Sequence, residues 1–500
     1  MSRIVVDCDT HFGVLPYRDQ DVSLEKLLST MDAYGIAAAL TYSLKGKMYD
    51  FEEGNDETLA ACKANPRLLP VMTVDPRRYI GVVEEIEKRK KQGFVALRVF
   101  PDSHQAWRID SPMFRSVIKE LERVGMLLVV PCPESPEDIL KAVRGTSMPV
   151  ILCGIGYHNL ADAIAACKEH PSLYIEENII DPPDALAVGV DAIGADRFVF
   201  GSNAPSSSMR GSLNLVAESF LNEEDKAKVF GGSICRILGI PMPTVPALNL
   251  DAPFADFPII DIHSHYGKWP FPLRGRGVDF TLDLMKRRGI NRTIMSSSLS
   301  IVYDFTAGNK QMADAIEGHP ELLGYVTVNP NYFDASCREL EKYFKKPNFV
   351  GAKMHPMYNR LDGNSRQTRK LAQKIAEYGK PLLIHTFGRG EPAKMFELAR
   401  DCPNLKIIMG HAGGDDWRGA VEVLRQTPNT YMEFCATVHE TDKVRRSVDA
   451  VGADRIMFGT DLDLINPAFT AGVYEESSLT TDEKERILYK NAMELFGIEV

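Results

Sequence analysis

No uninterrupted apolar stretch in this chain approaches the ~20 residues that a membrane-spanning helix needs, so no membrane partner is expected. The segment Met1 to Asp7 enters a strand at once and lacks the apolar core and cleavage site of a secretory signal. Cysteine is sparse and unordered: the nine residues are odd in number, scattered, and never spaced Cys-x-x-Cys. That pattern excludes a disulfide framework and reads as reduced thiols in a cytoplasmic protein. Long Lys/Arg runs are missing too, and a net charge of -10 argues against a nucleic-acid partner. Finally, no Gly-x-Gly-x-x-Gly follows the first strand candidate, which lowers an open dinucleotide-binding sheet.

What is present is a repeat. Ala64 to Pro76 matches Gly318 to Pro330, Ala192 to Asn203 matches Ala450 to Asp461, and Leu221 to Ile240 resembles Leu479 to Ile498. Register holds from end to end, which identifies an internal duplication. The chain of 500 residues suits two units of about 250, the usual size of a (β/α)8 barrel. The expected division is a first barrel over 1–240, a Pro-rich linker over 241–256 and a second barrel over 257–500, an intrachain pseudo-dimer open to further homo-oligomerisation. In the second half, strand candidates fall at 258–263, 292–297, 322–328, 349–354, 381–386, 405–410, 430–435 and 455–460. Several are continuous apolar runs, as parallel strands covered on both faces require. Stretches such as Gln367 to Tyr378 and Pro392 to Arg400 read as the helices between. The fold class is therefore α/β, two tandem (β/α)8 barrels.

Chemistry-bearing residues gather at the ends of these strands. The first ends in His263-Ser264-His265, its two histidines lying two apart on one face, where neutral imidazoles can hold a divalent metal. Later strands end at Lys353 and His355, at His385, at His411 and at Asp461. In a parallel barrel these ends share one rim, where the fold builds active sites. A lone histidine is more often structural than a ligand. Five of them with a carboxylate on one rim favour a metal centre. Lys268, Trp269, Tyr358, Arg389, Glu391, Trp417, Arg418 and His439 lie on the surrounding loops; Arg389 or Arg418 could take a substrate carboxylate, and a solvated loop cation is the plainer reading for each.

This pattern resembles the amidohydrolase superfamily, in its amidohydrolase-related branch. The resemblance covers the whole second half and implies a barrel with a divalent metal at the strand carboxyl ends. It makes His263, His265, His385 and Asp461 the ligands of one ion, zinc by expectation, with two ions if Lys353 is carbamylated. It makes Asp461 the proton acceptor from a metal-bound water, whose pKa zinc can lower to about 7, and His411 the group that polarises a substrate oxygen. Lys353, His355, Arg389 and Arg418 remain the substrate-binding candidates. The expected activity is metal-dependent hydrolysis of a small, carboxylated substrate. A metal-dependent decarboxylase or carbon–carbon hydrolase is the alternative enzyme, and a non-catalytic metal-binding or ligand-sensing protein the alternative from another class.

The first half reads as a degenerate copy. Asp9 stands in the place of His263, Arg98 in that of Lys353, Phe100 in that of His355, Val130 in that of His385, Gly154 in that of His411 and Asn203 in that of Asp461, while His11 keeps the place of His265. Valine and glycine cannot ligate, and an amide is neither a metal-binding carboxylate nor a general base. A structural partner barrel is favoured over a regulatory one.

Overall fold

The computed structural model of the protein describes residues 4–101, 104–132, 136–244, 254 and 256–500. Contacts divide the chain into two compact units, Met1–Leu250 with Phe271–Arg274, and Asp251–Pro270 with Gly275–Val500. Most of the expected linker, over 245–253 and at 255, lies outside the described residues. Among the described residues no helix is long and apolar enough to cross a membrane.

The first unit contains eight parallel strands in sequential order: β1 (Val6–Phe12), β2 (Ala38–Ser43), β3 (Leu68–Thr73), β4 (Ala96–Arg98), β5 (Leu127–Pro131), β6 (Val150–Cys153), β7 (Leu173–Glu176) and β8 (Phe198–Val199). Cys8 N donates to Phe200 O at 2.9 Å and His11 N to Ala204 O at 3.0 Å, joining the last strand region to the first and closing the ring. Helices alternate with the strands throughout. This is the barrel that the apolar runs predict.

The second unit repeats the plan with β9 (Ile260–Tyr266), β10 (Arg292–Ser297), β11 (Leu322–Thr327), β12 (Phe349–Met354), β13 (Leu382–Phe387), β14 (Ile407–Gly413) and β15 (Thr430–Met432), again parallel and sequential. Its core joins Ile260, Ile262, Ile294, Leu323, Tyr325, Val350, Leu383, Ile408 and Met457. The eighth expected strand, 455–460, closes the ring by isolated bridges instead of forming a regular strand: Ile456 with Met432, and Leu462 with Ser264. The reason lies in its donors. Phe458 N binds Ile487 O at 3.0 Å and Thr460 N binds the Asp261 carboxylate at 3.1 Å, so a continuous ladder never forms. Asp461 N still reaches His263 O at 2.7 Å, which ties the segment to the end of β9.

Candidate metal centre

The alternation of β9 places His263 and His265 on one face, as the sequence predicts, and buried Asp261 fixes their backbone. Its carboxylate accepts from His263 N at 3.1 Å, from Thr460 N at 3.1 Å, from Ser264 Oγ at 2.9 Å and from Thr460 Oγ1. Burial pushes this carboxyl up to about 7 despite those donors. The carboxylate thus staples β9 to the segment that delivers Asp461.

Ligand atoms of His263, His265 and Asp461, all buried, lie within 4.8 Å of one another. Asp461 Oδ1 is 2.8 Å from His265 Nε2 and 3.5 Å from His263 Nε2, yet it meets no hydrogen-bond geometry. A carboxylate oxygen thus faces two imidazole nitrogens at close range. Burial works against charge on Asp461, but the facing His265, then His263 and His411, hold its carboxyl well below the usual carboxylate range. Burial drives His263 and His265 below their ordinary value, toward the neutral rings that metals bind. An ionised carboxylate with two neutral imidazoles fits a divalent cation.

The tautomers follow from the surroundings. His263 Nδ1 sits 2.8 Å from Glu433 Oε1, so Nδ1 carries the proton and Nε2 presents its lone pair inward. Glu433 also accepts from His411 N at 2.7 Å and from Cys435 N at 2.5 Å. His411 Nδ1 donates to Cys435 O at 2.5 Å, which leaves its Nε2 to accept from His385 Nδ1 at 3.0 Å. The Nε2 of His385 is then a bare, buried acceptor. Its ring stacks on His355 at 3.9 Å with an interplanar angle of 17°. Lys353 Nζ lies 2.6 Å from His263 Nε2, and burial lowers this ammonium to about 8. Two of these residues are held in the left-handed backbone region that glycine favours: His411 at φ 68° and Asp461 at φ 64°. Such positions cost about 1–3 kcal/mol each and persist where the side chain is needed.

A family model described as amidohydrolase matches residues 6–240 and, a second time, 260–498. The chain belongs to the amidohydrolase family. A curated relative, the gamma-resorcylate decarboxylase of a Polaromonas species, is 24% identical over 301 residues, spanning 46% of this chain and 91% of that protein. Similar solved structures include a 2,6-dihydroxybenzoate decarboxylase complexed with 2,6-dihydroxybenzoate, at 18% identity over 48% of this chain and 99% of that one, with a TM-score of 0.40. Another is a dihydroxybenzoic acid decarboxylase from Polaromonas sp. JS666 with bound manganese and 2-nitroresorcinol, at 20% identity, 48% and 97% coverage and a TM-score of 0.40.

Within the second amidohydrolase barrel the structure brings His263, His265, Lys353 and Asp461 together. His385 stands apart from that cluster of ligand atoms and touches it through His411. His355 joins through its stacking on His385. Arg418 is gripped by Glu440, Nη2 to Oε1 at 2.7 Å, and Arg389 is exposed on the turn after β13. Sequence reading overlooked Glu433 and Cys435, whose side chains complete a second buried group with His263 and His411. The duplication held the signal for the first of them: Tyr174-Ile175-Glu176 matches Tyr431-Met432-Glu433.

The first amidohydrolase barrel shows what replaced the cradle. Asp7 stands where Asp261 is, and accepts from Asp9 N at 3.0 Å, Ser202 N at 3.1 Å and Ser202 Oγ. The staple survives, while the buried ligand atoms beside it are now those of Asp9, Cys153 and Glu176. Arg98 Nη1 lies 2.9 Å from Asp9 Oδ1 and 3.2 Å from Cys153 Sγ, so a guanidinium occupies the place of an inorganic cation. At the two strained positions the first barrel has Gly154 (φ 74°) and Asn203 (φ 55°), residue types that adopt this conformation readily.

Proposed function

We propose that the second barrel is a metal-dependent decarboxylase acting on a small hydroxylated aromatic acid, and that the first barrel is catalytically inactive. The observation that carries the reading is the pairing of a cation cradle, made by His263, His265 and Asp461, with the buried Lys353 ammonium 2.6 Å from His263 Nε2. Two positive centres in one buried site call for a substrate that brings negative charge. The kinship with a gamma-resorcylate decarboxylase supports carboxylate loss over the hydrolysis that the family name suggests.

Residues His263, His265 and Asp461 would hold a divalent ion, zinc or manganese, with His385 Nε2 free to join them. When bound, such an ion supplies Lewis-acid binding of neighbouring substrate oxygens. Lys353 neutralises the carboxylate that enters. Asp461, ionised in the resting site, takes the proton of an acidic ring hydroxyl and delivers it to the ring carbon bearing the carboxylate. The carbon–carboxylate bond then breaks, its electron pair restores the ring, and CO2 leaves. The His385–His411 pair, anchored by Cys435 O, fixes the orientation of the His385 ring beside the substrate. In the first barrel the ligand atoms of Asp9, Cys153 and Glu176 lie together, and Arg98, 2.9 Å from Asp9 Oδ1 and 3.2 Å from Cys153 Sγ, sets a guanidinium against them.

The test is a panel of hydroxybenzoates, including 2,6-dihydroxybenzoate, with lactones and amides, offered to protein loaded with zinc or with manganese. Release of CO2 from a hydroxybenzoate, lost in Asp461→Asn, is expected. Ring opening of a lactone or cleavage of an amide with no CO2 from any acid would replace the decarboxylase with a hydrolase. Protein that binds neither ion would overturn both enzymes.

A further inference from the structure

A cavity of about 370 Å³ is lined in part by His385, whose Nδ1 lies 3.0 Å from His411 Nε2 and so links the cavity to the metal centre. Its apolar lining includes Met357, on the short turn of helix after β12, and Phe387, at the end of β13, which are 64% and 44% exposed. Large apolar side chains left open at the mouth of a site are suited to a flat ring. Three kinds of charged group line the same cavity. Lys394 Nζ is 2.6 Å from Asp362 and 2.7 Å from Glu391, so both carboxylates are already committed to one ammonium. Arg360 is exposed, lines the cavity, and has no acidic partner among the described residues.

Arg360 ends the short helix Pro356–Asn359 in the left-handed conformation, φ 54°, with its N–H turned back to Met357 O and Pro356 O. The turn does not ask for an arginine: glycine and asparagine are its easiest occupants, and the first barrel reaches the same conformation after β4 at Ala106, φ 49°. What arginine adds is an exposed guanidinium fork in the lining of the cavity that His385 also lines, matched in shape to a carboxylate.

We propose that Arg360 is a specificity-determining residue that grips a second acidic group of the substrate, so that the preferred substrate is an aromatic diacid. One acidic group goes to the cradle, the ring lies along Met357 and Phe387, and the other acidic group meets Arg360. This rests on the reading of the second barrel as a site for carboxylated aromatics, but not on which reaction follows.

Binding can be measured by calorimetry on the full, manganese-loaded chain, with benzoate, phthalate, isophthalate and terephthalate as probes. At least one diacid should bind tenfold or more tighter than benzoate. In Arg360→Gln that preference should fall to within about twofold, with benzoate affinity and thermal stability unchanged, and Arg360→Lys should recover part of it. Equal binding of all four acids by the native chain, a preference that survives Arg360→Gln, or no binding of any acid would each overturn the proposal. The decarboxylase reading fails differently: a diacid preference abolished by Arg360→Gln, with no CO2 released from any acid, removes the reaction and keeps the role of Arg360.

Discussion

At the scale of single residues, the two copies within one chain work as a matched comparison. Asp461 and Asn203 occupy corresponding left-handed positions, φ 64° and 55°, and differ by one atom in their side chains. The carboxylate is buried opposite imidazoles, whereas the amide of Asn203 donates to Ser207 Oγ at 3.0 Å. Asp461→Asn therefore removes a buried charge at a conformation that asparagine favours. The metal-free variant should lose stability at neutral pH, because the folded site favours the ionised carboxylate, and should lose at least a hundredfold in metal affinity; urea unfolding and metal titration read the two effects separately. Glu433 acts through His263, and removing it frees the ring to take the wrong tautomer. Glu433→Gln should weaken metal binding by about 10- to 100-fold without abolishing it, and a loss no larger than that of a surface substitution would refute the role. In the first barrel, Arg98→Ala leaves Asp9 buried without its partner. A cost of about 3–5 kcal/mol to that barrel is expected, larger than for Asp9→Asn with Arg98→Met together, because the double change removes both charges.

At the scale of elements, the seam between the first strand and the last segment decides whether the ligands meet. Asp261 and Asp7 make the same staple in the two barrels, each accepting from two backbone N–H groups, with two hydroxyls added at Asp261 and one at Asp7. Losing it strands buried donors at about 1–3 kcal/mol. Asp261→Ala should lower both stability and metal affinity though Asp261 is no ligand, whereas Asp7→Ala should lower stability alone; equal effects on metal would show the staple to be irrelevant to the site. Such a seam is hard to read in a sequence. The strands 292–297 and 349–354 were legible to the residue because apolar runs bounded by turns mark them. The segment 455–460 carries the same apolar signature, but two of its N–H groups, those of Phe458 and Thr460, donate to Ile487 O and to the Asp261 side chain, partners that no local pattern announces. Glu433 escaped for the opposite reason. It is one acidic residue past a short strand, and only its match to Glu176 in the other copy separated it from an ordinary loop carboxylate.

At the scale of the whole molecule, the chain holds two barrels of one family with different cations at their rims: a cradle for an ion in one, a guanidinium in the other. His263→Ala should therefore abolish metal uptake and His11→Ala leave it intact, which elemental analysis of the full chain decides. The first barrel also carries a consequence for pH. Burial pushes Glu176 up to about 8, Asp9 adds to the shift, and Arg98 opposes it only in part. Oε1 of Glu176 has no hydrogen-bond partner, and Oε2 accepts only a 3.3 Å contact from Gly154 N. A carboxyl raised in the folded state favours folding only while it keeps its proton. In the unfolded chain the proton leaves near the ordinary value of about 4.5, so the folded state binds more protons throughout the interval above it. Stability of the first barrel must fall as pH rises from about 4.5 to about 8 and level off beyond, the reverse of the usual carboxylate behaviour. Glu176→Gln removes the titrating group but keeps the side chain's shape. Trp107 is the first barrel's only tryptophan, so its fluorescence in a Trp269→Phe, Trp417→Phe background follows that unit's unfolding. The urea midpoint of the parent should be higher at about pH 5.5 than at about pH 8.5, and the gap should narrow in Glu176→Gln by a rise at the alkaline end, the remainder belonging to buried Asp7 and Glu177, which burial also pushes up. An unchanged gap would mean that Glu176 is ionised in the folded barrel across this range and that Arg98 neutralises both carboxylates.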